Sequence, residues 1–356
     1  MDHKQLENQP WPKEGLEQVD RCPVCGEMGR TLLYDKLVDD VMFCAPGHWS
    51  LYKCQACNAA YLDPRPTPAT ISLAYRNYHT HYSIESSTPN KIGKLRKSLR
   101  NGYINYKLKA NLIPEMKIGR WLVPLLMQSR RIDESIRHIP KGCRSKIIAD
   151  IGCGNGQFLQ TAIQLGLEAY GLDFDPLAVE IARKAGASVS LGGLPNTGWP
   201  SSKFDMVTLS HVIEHVHDPM LALQEVRRIL KPGGLVWIAT PNMDSFGHNR
   251  FRRYWRGIEP PRHLVLFNRT NIKMLLEASG FVNIMYKPCH PQTFWFYKAS
   301  LKVKEKGGNR SQTKLIDIIT QYNAFIANIM ETYIPSKCEN LVIMAESPVN
   351  EGYKNG

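Results

Sequence analysis

Apolar positions follow different rhythms in the two halves of the chain. From residue 146, short apolar runs alternate with segments of helical period. KIIADIG is a β-branched run that enters a glycine-rich turn, and QFLQTAIQLG then repeats its apolar residues at helical spacing. EAYGLDF reads as a second strand, 187–190 as a third, FDMVTLS as a fourth and LVWIAT as a fifth. LAVEIARKAG and MLALQEVRRIL each follow an Asp-Pro pair, which combines an N-cap with a first-turn proline. A helix over 270–279, a strand over 281–286 and a last strand at ENLVIMAE complete the pattern. Such alternation predicts an α/β fold whose parallel sheet is covered on both faces.

Upstream the rhythm is looser. Residues 1–20 are polar and read as a flexible tail. Residues 21–62 hold short strand-like runs between two Cys-x-x-Cys pairs. DPRPTPAT (63–70) carries three prolines, which remove backbone donors and mark a boundary. This Pro-rich linker and a basic helical segment together span 63–145. The α/β core spans 146–288, an insertion 289–337, and the last strand with a C-terminal tail 338–356. Within the insertion, a helix over 314–333 places Leu315, Ile318, Ile319, Tyr322, Phe325, Ile326 and Ile329 on one face. That face is expected to pack on the domain or a second copy, with contact to a membrane surface as the alternative.

Composition bounds the function. The 356 residues are 43% apolar and 22% charged, a globular composition with room for about two domains. No run of eighteen uncharged apolar residues occurs, so no transmembrane helix is expected. The first fifteen residues have no apolar core and do not read as a secretory signal. Of the net charge of +13, +12 falls between Lys91 and Lys146. That segment is either a solvated helical face or a surface for an anionic partner. The nine cysteines are an odd count, which argues against a disulfide framework and for a reducing cytoplasm.

The sharpest chemical signal is the turn from Asp150 to Gln157. Its glycines stand at 152, 154 and 156, and Gln157 occupies the place of the third dinucleotide glycine. A P-loop ending is missing too. Asp173 closes the second strand about twenty residues on, where an acid accepts the ribose hydroxyls of a nucleoside.

The ordered run DIGCGNGQFL, GLDFDPLAVEIA, FDMVTLSHVIEHVHDP and LKPGGLVWIATPN resembles the class I, Rossmann-like S-adenosylmethionine-dependent methyltransferases over residues 146–286. The resemblance implies that Gly152, Gly154 and Gly156 face the methionine part of S-adenosyl-L-methionine. It places Asp150 near the amino group, Asp173 at the ribose, and the 192–195 segment with Leu194 at the adenine. Cys153, Phe174 and Ser210 are expected to border the same cofactor. The departure from the family is that 192–195 offers no acid to the adenine amino group.

His211, Glu214 and His215 share one face if helical, and His263 follows in EPPRHL. Histidine and glutamate can deprotonate an acceptor hydroxyl, so these four are the candidate catalytic residues. The quinone-biosynthesis O-methyltransferases and small-RNA 3′-end methyltransferases carry a similar Glu/His cluster that binds a divalent metal. They have an acid where this chain has His211. Three roles stay open here: base, metal ligands, or polar residues satisfied around the cofactor pocket.

Cys22, Cys25, Cys54 and Cys57 supply four thiolates, the donor set of a tetrahedral structural zinc. Cys44 and His48 are expected bystanders. This arrangement is similar to a subgroup of methyltransferases with an N-terminal zinc ribbon, a PRPT segment and tyrosine-rich helices, here Tyr75, Tyr78 and Tyr82. Such proteins commonly modify sugars or other small polar metabolites. The expectation is thus O-methylation of a sugar, glycan precursor or related acceptor, anionic or lipid-linked. Two rivals stand beside it. An RNA methyltransferase would use the ribbon and basic segment, although no Asn/Asp-Pro-Pro-Tyr motif follows the fourth strand. The other is a non-catalytic zinc-ribbon binding module.

Overall fold

The computed structural model describes residues 9–76, 90–126, 128–142, 146–306 and 314–349, without the side chains of 306 and 314–319. Tyr78, Tyr82 and Cys143 lie outside the described residues, as do the side chains of Leu315, Ile318 and Ile319.

The core of the fold is a seven-stranded sheet. Its strands are β6 (Ile147–Ile151), β7 (Glu168–Asp173), β8 (Ser188–Leu191), β9 (Phe204–Ser210), β10 (Leu230–Pro241), β12 (Val282–Tyr286) and β13 (Asn340–Glu346). The order is β12-β13-β10-β9-β6-β7-β8. Neighbours from β10 to β8 run parallel, and β13 is antiparallel to both β10 and β12. The chain turns from β6 to β7 on one side and later to β9 on the other, so a crevice opens at the carboxyl end of β6. β10 starts earlier than the LVWIAT run suggests. It includes the KPGG segment, with a register shift between Leu230 and Leu235 where Gly233 has φ +73°.

The helices occupy ten described segments. Upstream of the sheet lie α1 (Lys91–Leu108), α2 (Gly119–Leu125) and α3 (Ser129–Ser135). Between the strands lie α4 (Gln157–Gln164), α5 (Pro176–Lys184), α6 (Pro219–Ile229), α7 (Phe246–Phe251) and α8 (Arg269–Ala278). The insertion forms α9 (Thr293–Lys306) and α10 (Lys314–Tyr333). Asp175 and Asp218 cap α5 and α6 by accepting the backbone N–H groups of Leu177 and Leu221.

The insertion turns part of its apolar face away from the sheet domain. Ala324 and Ala327 of α10 are buried, whereas Tyr322 is 65% and Phe325 58% exposed. Ile326 and Ile329 are exposed with them, so this part of the predicted packing face looks outward and the small residues make the intramolecular contact. Cys289 and Cys338 form a disulfide across the base of the insertion, one bridge where the odd cysteine count predicted none. The two residues meet because the insertion leaves β12 and returns to β13, its immediate neighbour. No helix among the described residues is long and apolar enough to cross a membrane.

The N-terminal part is tied closely to the sheet domain. β2 (Arg30–Leu37), β3 (Trp49–Cys54) and β4 (Ala60–Leu62) form an antiparallel sheet, and its fourth strand is β11 (Val265–Leu266), from beyond β10. The tail expected over 1–20 is ordered in its second half. Trp11 is buried edge-on to Trp49, and β1 (Leu16–Glu17) pairs with β5 (Arg65–Pro66). Cys22, Leu51 and Tyr61 belong to the same apolar core as Leu209, Ile213 and Leu275.

An ion cluster lies inside this junction. Arg262 is fully buried. Its Nε donates to Glu259 Oε1 at 2.9 Å, and its Nη1 donates to Asp39 Oδ2 and to the Ala74 carbonyl, both at 3.0 Å. Nη2 donates to Asp39 Oδ1. Removing one partner of such a cluster leaves a charge stranded in the interior. Arg262→Met is therefore expected to lower unfolding free energy by about 3–5 kcal/mol in urea titrations. A loss below about 1 kcal/mol, the range of exposed pairs, would show that the cluster does not hold the two parts together.

Candidate active site

The glycine turn lies at the crevice. Gly152, Gly154 and Gly156 have φ of +70°, +52° and +78°, a region where a side chain is strained. A Cβ on Gly152 would stand 2.5 Å from Val212 Cγ2. This backbone is shaped for close approach by a ligand. Asp173 is buried; its Oδ2 accepts the Gly154 N–H at 2.7 Å and its Oδ1 the Asp175 N–H at 3.0 Å. Each carboxylate oxygen keeps a further lone pair for a hydroxyl. Asp150 is buried below the turn and accepts the Thr208 hydroxyl at 2.6 Å. Burial raises its carboxyl above the usual range, and the nearby Arg137 opposes that.

Arg137 is a residue that periodicity could not find. It and His138 both have positive φ, +53° and +48°. Two consecutive left-handed non-glycine residues are strained, a feature that clusters at functional sites. The bend turns both side chains onto Trp237. Arg137 stacks between Phe158 and Trp237, 4.9 and 4.7 Å from their ring centres, and its Nη1 donates to Ser210 Oγ at 2.7 Å. Its Nε is buried and has no hydrogen-bond partner. A buried donor without an acceptor beside a glycine cradle suits the carboxylate of an amino-acid ligand. The residues present therefore fit S-adenosylmethionine.

The rest of the expected cofactor set is more dispersed. Phe174 is largely exposed and meets Tyr75 edge-on at 5.1 Å. Leu194 is half-buried against the core. Cys153 is buried under the turn, where a Cβ on Gly171 would touch its Sγ at 2.7 Å.

Of the four candidate catalytic residues, three converge. One donor atom each from Glu214, His215 and His263 falls within 4.8 Å of the others. His211 joins them through Glu214 and not along a helical face, because the segment is not a continuous helix. His211 has φ +55°, and only a short 3-10 turn, Ile213–His215, follows. His211 is partly exposed and its Nδ1 lies 3.1 Å from Glu214 Oε1, while the Thr240 hydroxyl donates to Glu214 Oε2 at 3.0 Å. Burial works against ionising Glu214, yet the His211 hydrogen bond prevails and the carboxyl sits well below its usual range.

The two histidines are oriented by backbone. His263 Nδ1 donates to the Gly257 carbonyl at 2.8 Å, and His215 Nδ1 to the Arg262 carbonyl at 2.9 Å. The Tyr75 hydroxyl lies 3.0 Å from the same His215 nitrogen. Carbonyls only accept, so Nδ1 carries a proton in each ring. Burial pulls His263 down to about 4, which leaves it neutral at pH 7.

The four cysteines of the N-terminal part also converge. Their sulfurs lie within 4.8 Å of one another, with Cys22–Cys57 at 3.6 Å and Cys25–Cys54 at 3.5 Å. A tetrahedral ion with bonds of ~2.3 Å sets its sulfurs about 3.8 Å apart, so these distances suit zinc. Cys44 instead directs its thiol to Asp39 and the Ala74 carbonyl.

Comparison with known proteins agrees with this geometry. Residues 127–286 match the family model described as a methyltransferase domain. A probable S-adenosylmethionine-dependent methyltransferase of Mycolicibacterium smegmatis is 28% identical over 154 residues, 43% of this chain and 58% of the relative. A ubiquinone biosynthesis O-methyltransferase of Haemophilus ducreyi is 28% identical over 178 residues, 47% of this chain and 70% of the relative. Among solved structures, a complex between the Haloferax volcanii Trm112 methyltransferase activator and a putative methyltransferase is 17% identical. It covers 65% of this chain and 94% of its own, with a TM-score of 0.43. The chain spans little more than half the length of the first relative. Residues 127–286 thus form a class I S-adenosylmethionine-dependent methyltransferase domain.

His138 gives this region a pH dependence. It accepts the Trp237 Nε1–H on Nδ1 at 3.1 Å, which requires a neutral ring. Burial pulls its pKa from 6.5 to about 4. The unfolded chain therefore binds the proton first as pH falls. Stability is complete above about 6.5 and is lost as pH falls toward about 4. Urea midpoints should drop across that window, and His138→Leu should flatten part of the slope. A variant with the full wild-type slope would exclude His138 as a source.

Proposed function

We propose that the chain is an S-adenosylmethionine-dependent O-methyltransferase acting on a sugar, a glycan precursor or a related hydroxyl-bearing small molecule. The observation that carries the reading is the convergence of Glu214, His215 and His263, the first two just beyond β9, which neighbours the strand entering the glycine turn. When bound, S-adenosylmethionine supplies a methyl group on a sulfonium, ready for in-line displacement. The protein's own residues do the rest. Gly152, Gly154, Gly156 and Asp173 would hold the cofactor, and Arg137 would receive its carboxylate. His263, neutral and with Nε2 unprotonated, would take the proton of the acceptor hydroxyl. Glu214 would stabilise the imidazolium that forms, and His211 and Thr240 keep Glu214 oriented. Orientation of acceptor and methyl group supplies much of the remaining rate.

A second reading has a specific observation behind it. Both imidazoles are held through Nδ1–H by backbone carbonyls, the outer-shell pattern of metal-binding histidines. Glu214, His215 and His263 would then hold a divalent cation that binds the acceptor oxygens. We also infer a structural zinc on Cys22, Cys25, Cys54 and Cys57, supported by the sulfur spacing.

The test is transfer of labelled methyl groups to a panel of hydroxyl acceptors, with and without a chelator. His263→Ala is expected to lose about 10²–10⁴-fold in rate while still binding the cofactor. Loss of activity on chelation that Mg²⁺ alone restores selects the metal reading; chelator-insensitive activity selects the base. Transfer at the wild-type rate in His263→Ala contradicts both.

A further inference from the structure

The cavity beside the glycine turn has a wall that the cofactor does not explain. Its volume is about 1190 Å³. That exceeds the roughly 300–1,000 Å³ of a pocket for one drug-sized ligand. On the turn side it is lined by methionine-end residues such as Asp150, Gly152 and Asn155. Asp173, Phe174 and Leu194, at the expected ribose and adenine end, are not on its wall. The residues expected at the ribose and adenine thus lie off this cavity, and the segment from Arg96 to Arg137 supplies the larger part of its lining.

That opposite wall is strongly cationic. Arg96 and Arg100 stand four residues apart on α1, on one helical face, and Arg131 comes from α3. Arg137 is the fourth arginine on the lining, and Asp150, already held by Thr208, is the one carboxylate. Other cations of this segment do find acids, as Lys107 pairs with Asp133 at 2.7 Å. Among the described residues, Arg96, Arg100 and Arg131 have no ion pair with an acid. Arg100 is half-buried, and desolvation alone shifts it, downward. Arg100 thus loses water without gaining an anion among the described residues, a cost that a ligand's anion would offset, while Arg96 and Arg131 are exposed. Between the arginines lie Leu99, Leu122 and Leu126, an apolar strip that would receive the uncharged remainder of a ligand.

We propose that the α1–α3 wall of this cavity binds a phosphate or diphosphate group of the methyl acceptor, through Arg96, Arg100 and Arg131. The proposal rests on the O-methyltransferase reading and names the acceptor class: a phosphorylated small molecule, either soluble or lipid-linked. Three guanidinium groups on two helices exceed what one carboxylate neutralises, whereas a diphosphate can take several bidentate pairs. The anion would anchor the acceptor at the helix side, with its hydroxyl toward the Gly152 and Ser210 side of the cavity.

The experiment titrates inorganic pyrophosphate into the full chain saturated with S-adenosylhomocysteine, by calorimetry. Wild type should bind pyrophosphate. Arg100→Gln should weaken it at least tenfold, and so should Arg131→Gln, at an exposed position, with S-adenosylhomocysteine affinity unchanged. Arg100→Lys should recover part of the loss. A short prenyl diphosphate separates the sources: tighter binding than pyrophosphate supports a lipid-linked acceptor, equal binding a soluble one. The proposal is overturned if pyrophosphate displaces S-adenosylhomocysteine, if acetate binds equally well, or if both glutamine variants bind pyrophosphate as wild type does. Wild type that binds S-adenosylhomocysteine but not pyrophosphate overturns this proposal alone. Failure to bind S-adenosylhomocysteine would overturn the reading beneath it.

Discussion

The Arg262 guanidinium, sealed between Asp39 and Glu259, joins the two parts of the molecule. Asp39 also accepts the backbone N–H groups of Met42, Cys44 and Ala45, so the loop between β2 and β3 is wound around one carboxylate. A charge so deep is tolerated only with its partners in place. The same short segment does two further things. The Arg262 carbonyl orients His215, and the Leu264 N–H donates to the Glu214 carbonyl at 2.8 Å. Val265 and Leu266 then complete the sheet that begins beside the cysteine cluster. The cysteine-rich part therefore buttresses the acid–imidazole triangle directly, and Asn271 extends the link by donating to the Cys57 carbonyl.

The other side of the crevice is organised by backbone strain. Parallel strands leave their carboxyl ends open at the point where β6 lies between β7 and β9. Three glycines in left-handed conformation bring the backbone up to that opening. Arg137 and His138 close it from the basic segment, and aromatic stacking on Trp237 and Phe158 compensates their unfavourable dihedrals. The result is a site with an apolar floor and fixed donors, bounded by a cationic wall.

Much of this was legible in the sequence because it is local. The alternation from residue 146 gave the strands in order, and the glycine turn and Asp173 lie at strand ends where period and position coincide. What escaped depends on contacts distant along the chain. Asp39 and Arg262 are 223 positions apart, and no periodicity connects them. β11 is two residues long and reads as strand only through its pairing with β4. Trp11 lies in a polar stretch whose burial is decided by Trp49. His211 reaches Glu214, but across a positive φ and a short 3-10 turn, a contact that does not need the helix assumed in grouping them. Arg137 looked like one more charge in a basic run; its stacking between Phe158 and Trp237 and its bond to Ser210 distinguish it from its neighbours.

The cofactor crevice is the claim on which the functional account stands, and Asp173, at the expected ribose end, is the residue that tests it most directly. Calorimetric titration of S-adenosylmethionine into the wild-type chain and Asp173→Ala is the direct measurement. The account predicts saturable one-to-one binding by wild type and at least a tenfold loss in the variant, about 1.4 kcal/mol. Folded wild-type protein that takes up no S-adenosylmethionine, or a variant that binds it equally well, would contradict the account.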